Sequence, residues 1–235
     1  LRASAVTIRD ANFSDNTAGR NGGALYVSGT GTTNVIYTSV FERNTAGGDG
    51  GAIDWRAAAG HIEESNFTSN KANYGGAIYG GAKLTLLNSN FTNNVASVDG
   101  GALYLNGATN VLTNIVLKEN NAAKGSAIYL SNGNSIELNN VNVKDNTHSI
   151  TNPDGGDVYI PYGVTRIEDT VFFGCSSLIS VTIPDSVTEI GARAFEDCNN
   201  LVSVHIPDGL IVIDDWVFAN CGNLTNINIP NNIEY

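Results

Sequence analysis

The chain contains no methionine, not even at position 1. That reads as a processed chain or an excised piece, with anchors and targeting signals expected outside it. Basic residues are scarce: 12 Lys and Arg stand against 23 Asp and Glu, for a net charge of −11, and they form no cluster. Duplex or RNA binding needs a basic face, so nucleic acid is excluded as a partner, and an anionic membrane surface would repel the chain. No run approaches the ~18 apolar residues that span a bilayer, so direct membrane insertion of this segment is not expected. Three cysteines are an odd number, too few for a full disulfide framework. Only 15% of residues are charged, yet 42% are hydrophobic and recur at strict spacing, which excludes disorder.

What the chain has instead is repetition, of two kinds. A motif F-x-x-N … G-G-A-[LI]-Y returns about every 25 residues through the first two thirds. A second, C-x-x-L-x-x-V-x-I-P, returns every 23 residues through the last third. A fixed period of this length is the mark of a solenoid, whose coils cannot bury their apolar faces alone and therefore stack. The 26 glycines and the abundant Asn, Thr and Ser suit polar turns between short strands.

Six rungs align over residues 1–156. Their corners are Phe13/Asn16, Phe41/Asn44, Phe67/Asn70, Phe91/Asn94, Leu117/Asn120 and Val143/Asn146. A Phe repeated once per coil is expected to point inward and stack on its copies. The Asn is expected at a bend, with side-chain amides bonded up the axis as a ladder. Paired glycines, as in Gly50-Gly51 and Gly75-Gly76, allow positive φ and close approach of coils. Parallel strands in rungs of this length predict a right-handed parallel β-helix.

Over residues 157–235 the period is strict: Cys175, Cys198 and Cys221 are 23 apart, as are Phe172, Phe195 and Phe218. Equivalent positions form a column, so the cysteines read as small buried hydrophobes rather than as a redox or metal centre. Counting back 23 from Val181-Thr182-Ile183-Pro184 lands on Val158-Tyr159-Ile160-Pro161, which also stands where the first repeat expects its own strand. One strand satisfies both patterns, so a single continuous solenoid is expected, with extra residues only at Thr147–Asp154. The fold class is thus an all-β solenoid, a β-helix passing into a 23-residue leucine-rich-repeat solenoid.

The F-x-x-N and G-G-A-[ILV] units resemble the repeats of the polymorphic outer-membrane protein family and related adhesin-like surface proteins. The 23-residue unit resembles leucine-rich repeats of the bacterial surface antigen A type. Both resemblances imply a cell-surface or secreted, adhesin-like segment: a rigid stalk and display surface without turnover chemistry or cofactor. The partner would be a host matrix protein, a surface glycan or another cell. The alternatives are a self-assembling extracellular fibre, with solenoid ends stacking end to end where no cap is evident, and a polysaccharide lyase or hydrolase.

The candidate binding surface is a row of tyrosines after G-G-A. Alternation places Tyr26, Asp54, Tyr79, Tyr104, Tyr129 and Tyr159 on the outside of the coils, where an aromatic stripe could stack on sugars or meet a protein. The same row could serve only as cross-strand packing, and an inverted alternation at the bends would bury it. Asp49, Asp99 and Asp154 precede G-G, but Tyr74 and Lys124 intervene, placing acids about two coils, ~10 Å, apart, loose for a glycosidase pair. His61, His148 and His205 show no metal spacing. Three sequons, at Asn12, Asn66 and Asn90, are candidate N-glycosylation sites.

Overall fold

In the computed structural model, described over residues 5–30, 33–107, 110–131, 136–144, 146–148, 158–160, 165–167, 169–175 and 178–234, every named strand pairs in parallel. Each β-helix rung has four short faces. The first is built from Ala5–Arg9, Thr33–Tyr37, Ala59–Glu63 and Lys83–Leu87, the second from Asn12–Ser14, Val40–Glu42, Asn66–Thr68 and Asn90–Thr92. In the next two rungs the two faces run together as the nine-residue strands Asn110–Lys118 and Ile136–Lys144. The third face stacks Thr17–Ala18, Thr45–Ala46, Lys71–Tyr74, Val95–Asp99, Asn121–Ala122 and Thr147–His148. Thr147 and His148, grouped above with the extra residues, thus pair with Asn121 and Ala122. The rest of that loop and the Gly155-Gly156 corner lie outside the described residues.

The fourth face crosses the change of repeat. Leu25–Val27, Ile53–Trp55, Ile78–Gly80, Leu103–Leu105, Ile128–Leu130, Val158–Tyr159, Ser180–Thr182, Ser203–His205 and Asn226–Ile227 form one nine-stranded sheet. Val158 pairs with Ile128 on one side and Val181 on the other. The core is equally continuous, from Leu25 to Val217.

The corners explain the sequence pattern. The first glycine of each pair holds φ of +55 to +72° in Gly22, Gly50, Gly75, Gly100 and Gly125. The second needs the space: a Cβ on Gly51 would lie 2.0 Å from the carbonyl oxygen of Gly76 in the next coil. At the Phe corner the left-handed residue is not the Asn but the one before it: Asp15, Arg43, Ser69, Asn93 and Glu119, at φ 52–58°. The Asn turns inward. Asn44, Asn70, Asn94 and Asn120 are fully buried. Each Nδ2 donates to the next Oδ1 along the axis at 2.8–3.0 Å, from Asn16 to Asn146. Its second hydrogen goes to a carbonyl of the preceding rung, as Asn70 does to Phe41 at 2.9 Å. The Oδ1 accepts the preceding Asn backbone N–H as well. Every polar atom of the ladder amide is thereby satisfied, as burial demands.

Beside it Phe13, Phe41, Phe67 and Phe91 stack at 4.7–4.9 Å within 7° of parallel. A smaller serine column, Ser39, Ser65 and Ser89, does the same task at another corner: the Ser39 backbone N–H donates to Ser65 Oγ and that of Ser65 to Ser89 Oγ. In the 23-residue coils Phe172, Phe195 and Phe218 stack at 5.0 and 5.5 Å.

Candidate recognition surface

The alternation that places the tyrosines outside is seen directly. Leu25 and Val27 are buried and Tyr26 is 42% exposed; Leu103 and Leu105 flank a half-buried Tyr104, and Ile128 and Leu130 a half-buried Tyr129. From Tyr79 to Tyr129, however, the rings stack on one another. Tyr79 and Tyr104 stack at 4.9 Å and 8°, Tyr104 and Tyr129 at 4.8 Å and 18°. The Arg56 guanidinium covers the other face of Tyr79, 4.1 Å from its centroid, and Tyr74 meets Tyr104 edge-on at 5.5 Å. Asn106 Nδ2 donates to the Tyr79 hydroxyl at 3.3 Å, and only 8% of Tyr79 remains exposed. The expectation of an exposed stripe is therefore corrected at Tyr79. Strand spacing equals ring thickness plus contact, so tyrosines in register occupy one another's faces. At Tyr79 and Tyr104 a ligand would meet ring edges and hydroxyls, not a platform for a sugar ring. Burial raises the Tyr104 phenol well above its ordinary range. The Tyr159 side chain lies outside the described residues.

Asp54 is a second correction. It stands in the outward row, yet it is wholly buried. Arg56 Nε donates to its Oδ1 at 2.7 Å and Asn21 Nδ2 to its Oδ2 at 2.9 Å; Arg56 also reaches Asp49 at 2.5 Å. Burial pushes the Asp54 carboxyl up, against the pull of Arg56 and Asn21. This ion-paired plug breaks the aromatic row between Tyr26 and Tyr79. Asp54 and Arg56 are close in sequence, but Asn21 joins them only across coils.

The acids before G-G line up as the spacing implies. Asp49 bridges to Tyr74, Tyr74 pairs with Asp99, and Asp99 bridges to Lys124. Asp49 and Asp99 are thus two coils apart, and Asp49 is engaged by Arg56, so among the described residues the column offers no adjacent carboxylates. Burial raises the Asp99 carboxyl, which Lys124 partly offsets. His61 contacts Glu63 at 3.1 Å; His205 lies on an open groove of about 380 Å³ with Ser203, Asn226, Ile227 and Asn228. The His148 side chain lies outside the described residues.

Cys175, Cys198 and Cys221 are free thiols. Cys198 Sγ donates to the Phe172 carbonyl and Cys221 Sγ to that of Phe195, both at 3.1 Å. Cys175 reaches back across the repeat boundary to the Val141 carbonyl at 3.2 Å. Burial raises the Cys198 and Cys221 thiols, Cys198 the further. A raised thiol is a poor nucleophile and a poor metal ligand.

Asn12, Asn66 and Asn90 are all exposed, and Asn90 donates to Asn66 at 2.9 Å in the neighbouring coil. A fourth sequon, Asn223-Leu224-Thr225, is also exposed; the N-F-[ST] pattern passed over it.

The largest exposed apolar side chains lie elsewhere. Phe173, Ile179, Val202, Ile211 and Trp216, 41–64% exposed, all stand on the 23-residue coils. Ile179 and Val202 are one column, linked by the Val202 N–H to the Ile179 carbonyl at 3.1 Å.

The comparison with known families agrees with this geometry. No curated protein and no solved structure matches the chain. Residues 155–235 match the BspA type leucine rich repeat region, overlapping at the shared strand with the match to residues 1–165. That longer match covers more than half of the sequence, and by it the chain belongs to the right-handed β-helix family.

Proposed function

We propose that this chain is a non-catalytic, adhesin-like segment of a cell-surface or secreted protein. Its β-helix serves as a rigid shaft and its leucine-rich coils as the face that meets a host matrix protein or another cell's protein. The observation that carries this reading is the distribution of exposed apolar groups. Among the described residues, seven of the ten large apolar residues that stand exposed belong to the leucine-rich coils: Phe173, Ile179, Val202, Ile211, Trp216, Ile227 and Ile229. Exposed apolar side chains gathered on one region mark protein contact sites, and Ile179 and Val202 stand side by side on adjacent coils. The Tyr79–Tyr129 stack supports the shaft instead, its rings engaged with one another and with Arg56. The surface antigen type of repeat favours the compartment, and Asp49 and Asp54, carboxylates drawn together in the β-helix, are both held by Arg56, with Asp54 wholly buried.

A matrix-protein and glycan array, probed with three proteins, tests this. The wild type and a Tyr79→Ala/Tyr104→Ala/Tyr129→Ala variant of confirmed fold should both bind a protein ligand, and an Ile179→Asp/Val202→Asp variant should not. Loss of binding in the tyrosine variant alone would return the site to the tyrosine row. Release of new reducing ends or unsaturated products from a panel of acidic polysaccharides would overturn the non-catalytic reading.

A further inference from the structure

Charge is divided between the two regions as unevenly as apolar exposure. Over residues 1–156 ten bases stand against twelve acids, net −2, whereas over residues 157–235 two bases stand against eleven acids, net −9. Both of those bases are engaged: Arg166 pairs with Asp169 and Glu189, and Arg193 with Glu196. The unbalanced acids meet the exposed apolar column on one face. Ile179 and Val202, 52% and 45% exposed, stand just before the strands Ser180–Thr182 and Ser203–His205, and Asp185 and Asp208 stand exposed just past them. Val204 and Ile206 are buried, so the outward line of the second coil runs Val202, Ser203, His205, Asp208. At ~3.3 Å per residue that line is about 20 Å long. This coil has neighbours on both sides: the Val202 N–H donates to the Ile179 carbonyl, and the Val202 carbonyl accepts from the Thr225 N–H.

Asp185 and Asp208 occupy one position in adjacent coils, and a Cβ on Gly209 would lie 3.0 Å from the Asp185 carbonyl oxygen. Neither carboxylate joins an ion pair among the described residues. Like charges stacked on neighbouring coils oppose folding. In the β-helix, by contrast, Tyr74 separates Asp49 from Asp99, Lys124 follows Asp99, and Asp15 faces Arg43 of the next coil.

We propose that this face binds a basic, extended segment of a partner protein, with the partner's apolar side chains on Ile179 and Val202 and its Lys or Arg side chains on Asp185 and Asp208. The inference rests on the reading of the leucine-rich coils as the contact face. Charge complementarity selects the occupant. An acidic segment would add repulsion to a column that already repels itself. A wholly apolar segment would cover the two aspartates and leave them unpaired. A basic segment neutralises the stacked charges and covers the apolar column at once, and the excess acid of these coils steers it in.

Fluorescence anisotropy of the full chain with two synthetic peptides tests it. One peptide joins an alternating Leu–Ser half to an alternating Lys–Ser half, and the other carries Glu in place of Lys. The wild type should bind the Lys peptide and not the Glu peptide, and raised salt should weaken that binding about tenfold. Asp185→Asn/Asp208→Asn preserves the turn chemistry and should weaken it about fivefold. Ile179→Ser/Val202→Ser should weaken it by about the same factor. Urea unfolding at low salt should find the Asn variant no less stable than the wild type, because the stacked charges are gone. A Lys peptide that fails to bind, binds no better than the Glu peptide, or ignores the Asn substitutions overturns the proposal. The contact-face reading survives that failure if an array ligand still requires Ile179 and Val202. Array binding lost only in the tyrosine variant overturns that reading, and the proposal with it.

Discussion

The two regions line their corners with different side chains that bond to the same kind of acceptor. In the β-helix, Asn70 Nδ2 donates to the Phe41 carbonyl of the preceding coil; in the leucine-rich coils, Cys198 Sγ donates to the Phe172 carbonyl of the preceding coil. Each corner has a stacked Phe column beside it. The difference lies in what remains of the side chain. The amide has a second hydrogen and an acceptor, so each Asn also grips the next and the ladder is one network. The thiol has a single weak donor and otherwise packs as a hydrophobe. One region is tied corner to corner by polar bonds, and the other is held by apolar fit.

Removing one member from each ladder should break the comparison most sharply. Asn70→Ala strips the Asn44 amide and backbone N–H of the Asn70 Oδ1 acceptor, removes the side-chain donor to the Phe41 carbonyl, and leaves Asn94 Oδ1 with only the residue-70 backbone N–H. At ~1–3 kcal/mol for each buried group left unmade, partly relieved by relaxation, a loss on the order of 4 kcal/mol is expected in urea unfolding. Cys198→Ala removes one weak bond and one sulfur and should cost about 1–2 kcal/mol. Equal losses would mean that the ladder amides do not act as a network.

The Phe columns give a middle-sized contrast. Leu117 already follows Phe91 in the β-helix column, so that region accepts an aliphatic rung. Phe67→Leu should cost about 1–1.5 kcal/mol, against about 3–5 kcal/mol for Phe67→Ala.

Alkaline pH should separate the regions through the thiols. A thiol whose folded pKa lies above its unfolded value of 9.0 holds its proton longer when folded. Its contribution is complete below pH 9 and is lost as pH climbs toward the folded value. Unfolding monitored between pH 8 and 11 should therefore weaken the leucine-rich coils, and Cys198→Ala should remove part of that slope. A thiol reagent at pH 8 should modify Cys221, the less buried, before Cys175 or Cys198.

The smallest effects belong to left-handed corners. Glu119 and Trp216 hold φ of 56° and 62°, where Asn93 and Asn220 hold the same conformation in their own regions. Glu119→Asn and Trp216→Asn should each stabilise by about 0.5–1 kcal/mol in thermal unfolding. A Trp216→Asn protein that gains stability but loses binding on the array would place Trp216 in the contact face.

Much of the fold was legible because a repeat multiplies a weak signal. Phe13, Phe41, Phe67 and Phe91 recur at one coil position, and identical residues stacked in register admit few arrangements. The match between Val158 and Val181 was legible for the same reason. The candidate site was less so. Alternation places Tyr79 and Asp54 outside alike, but Asn21 covers Asp54 from the preceding coil, and Arg56, local to Asp54, covers Tyr79 in the next coil. No one-dimensional pattern encodes that meeting.

The sequence by itself determined the coil, its period, its inward columns and the strand shared by the two repeats, because each follows from local alternation and from copies in register. Only the tertiary structure decided that the tyrosines occupy one another's faces, that Asp54 is sealed beneath Arg56, and that apolar surface gathers on the leucine-rich coils. Those outcomes depend on side chains brought together by the stacking of coils, and distance along the chain carries no record of distance across it.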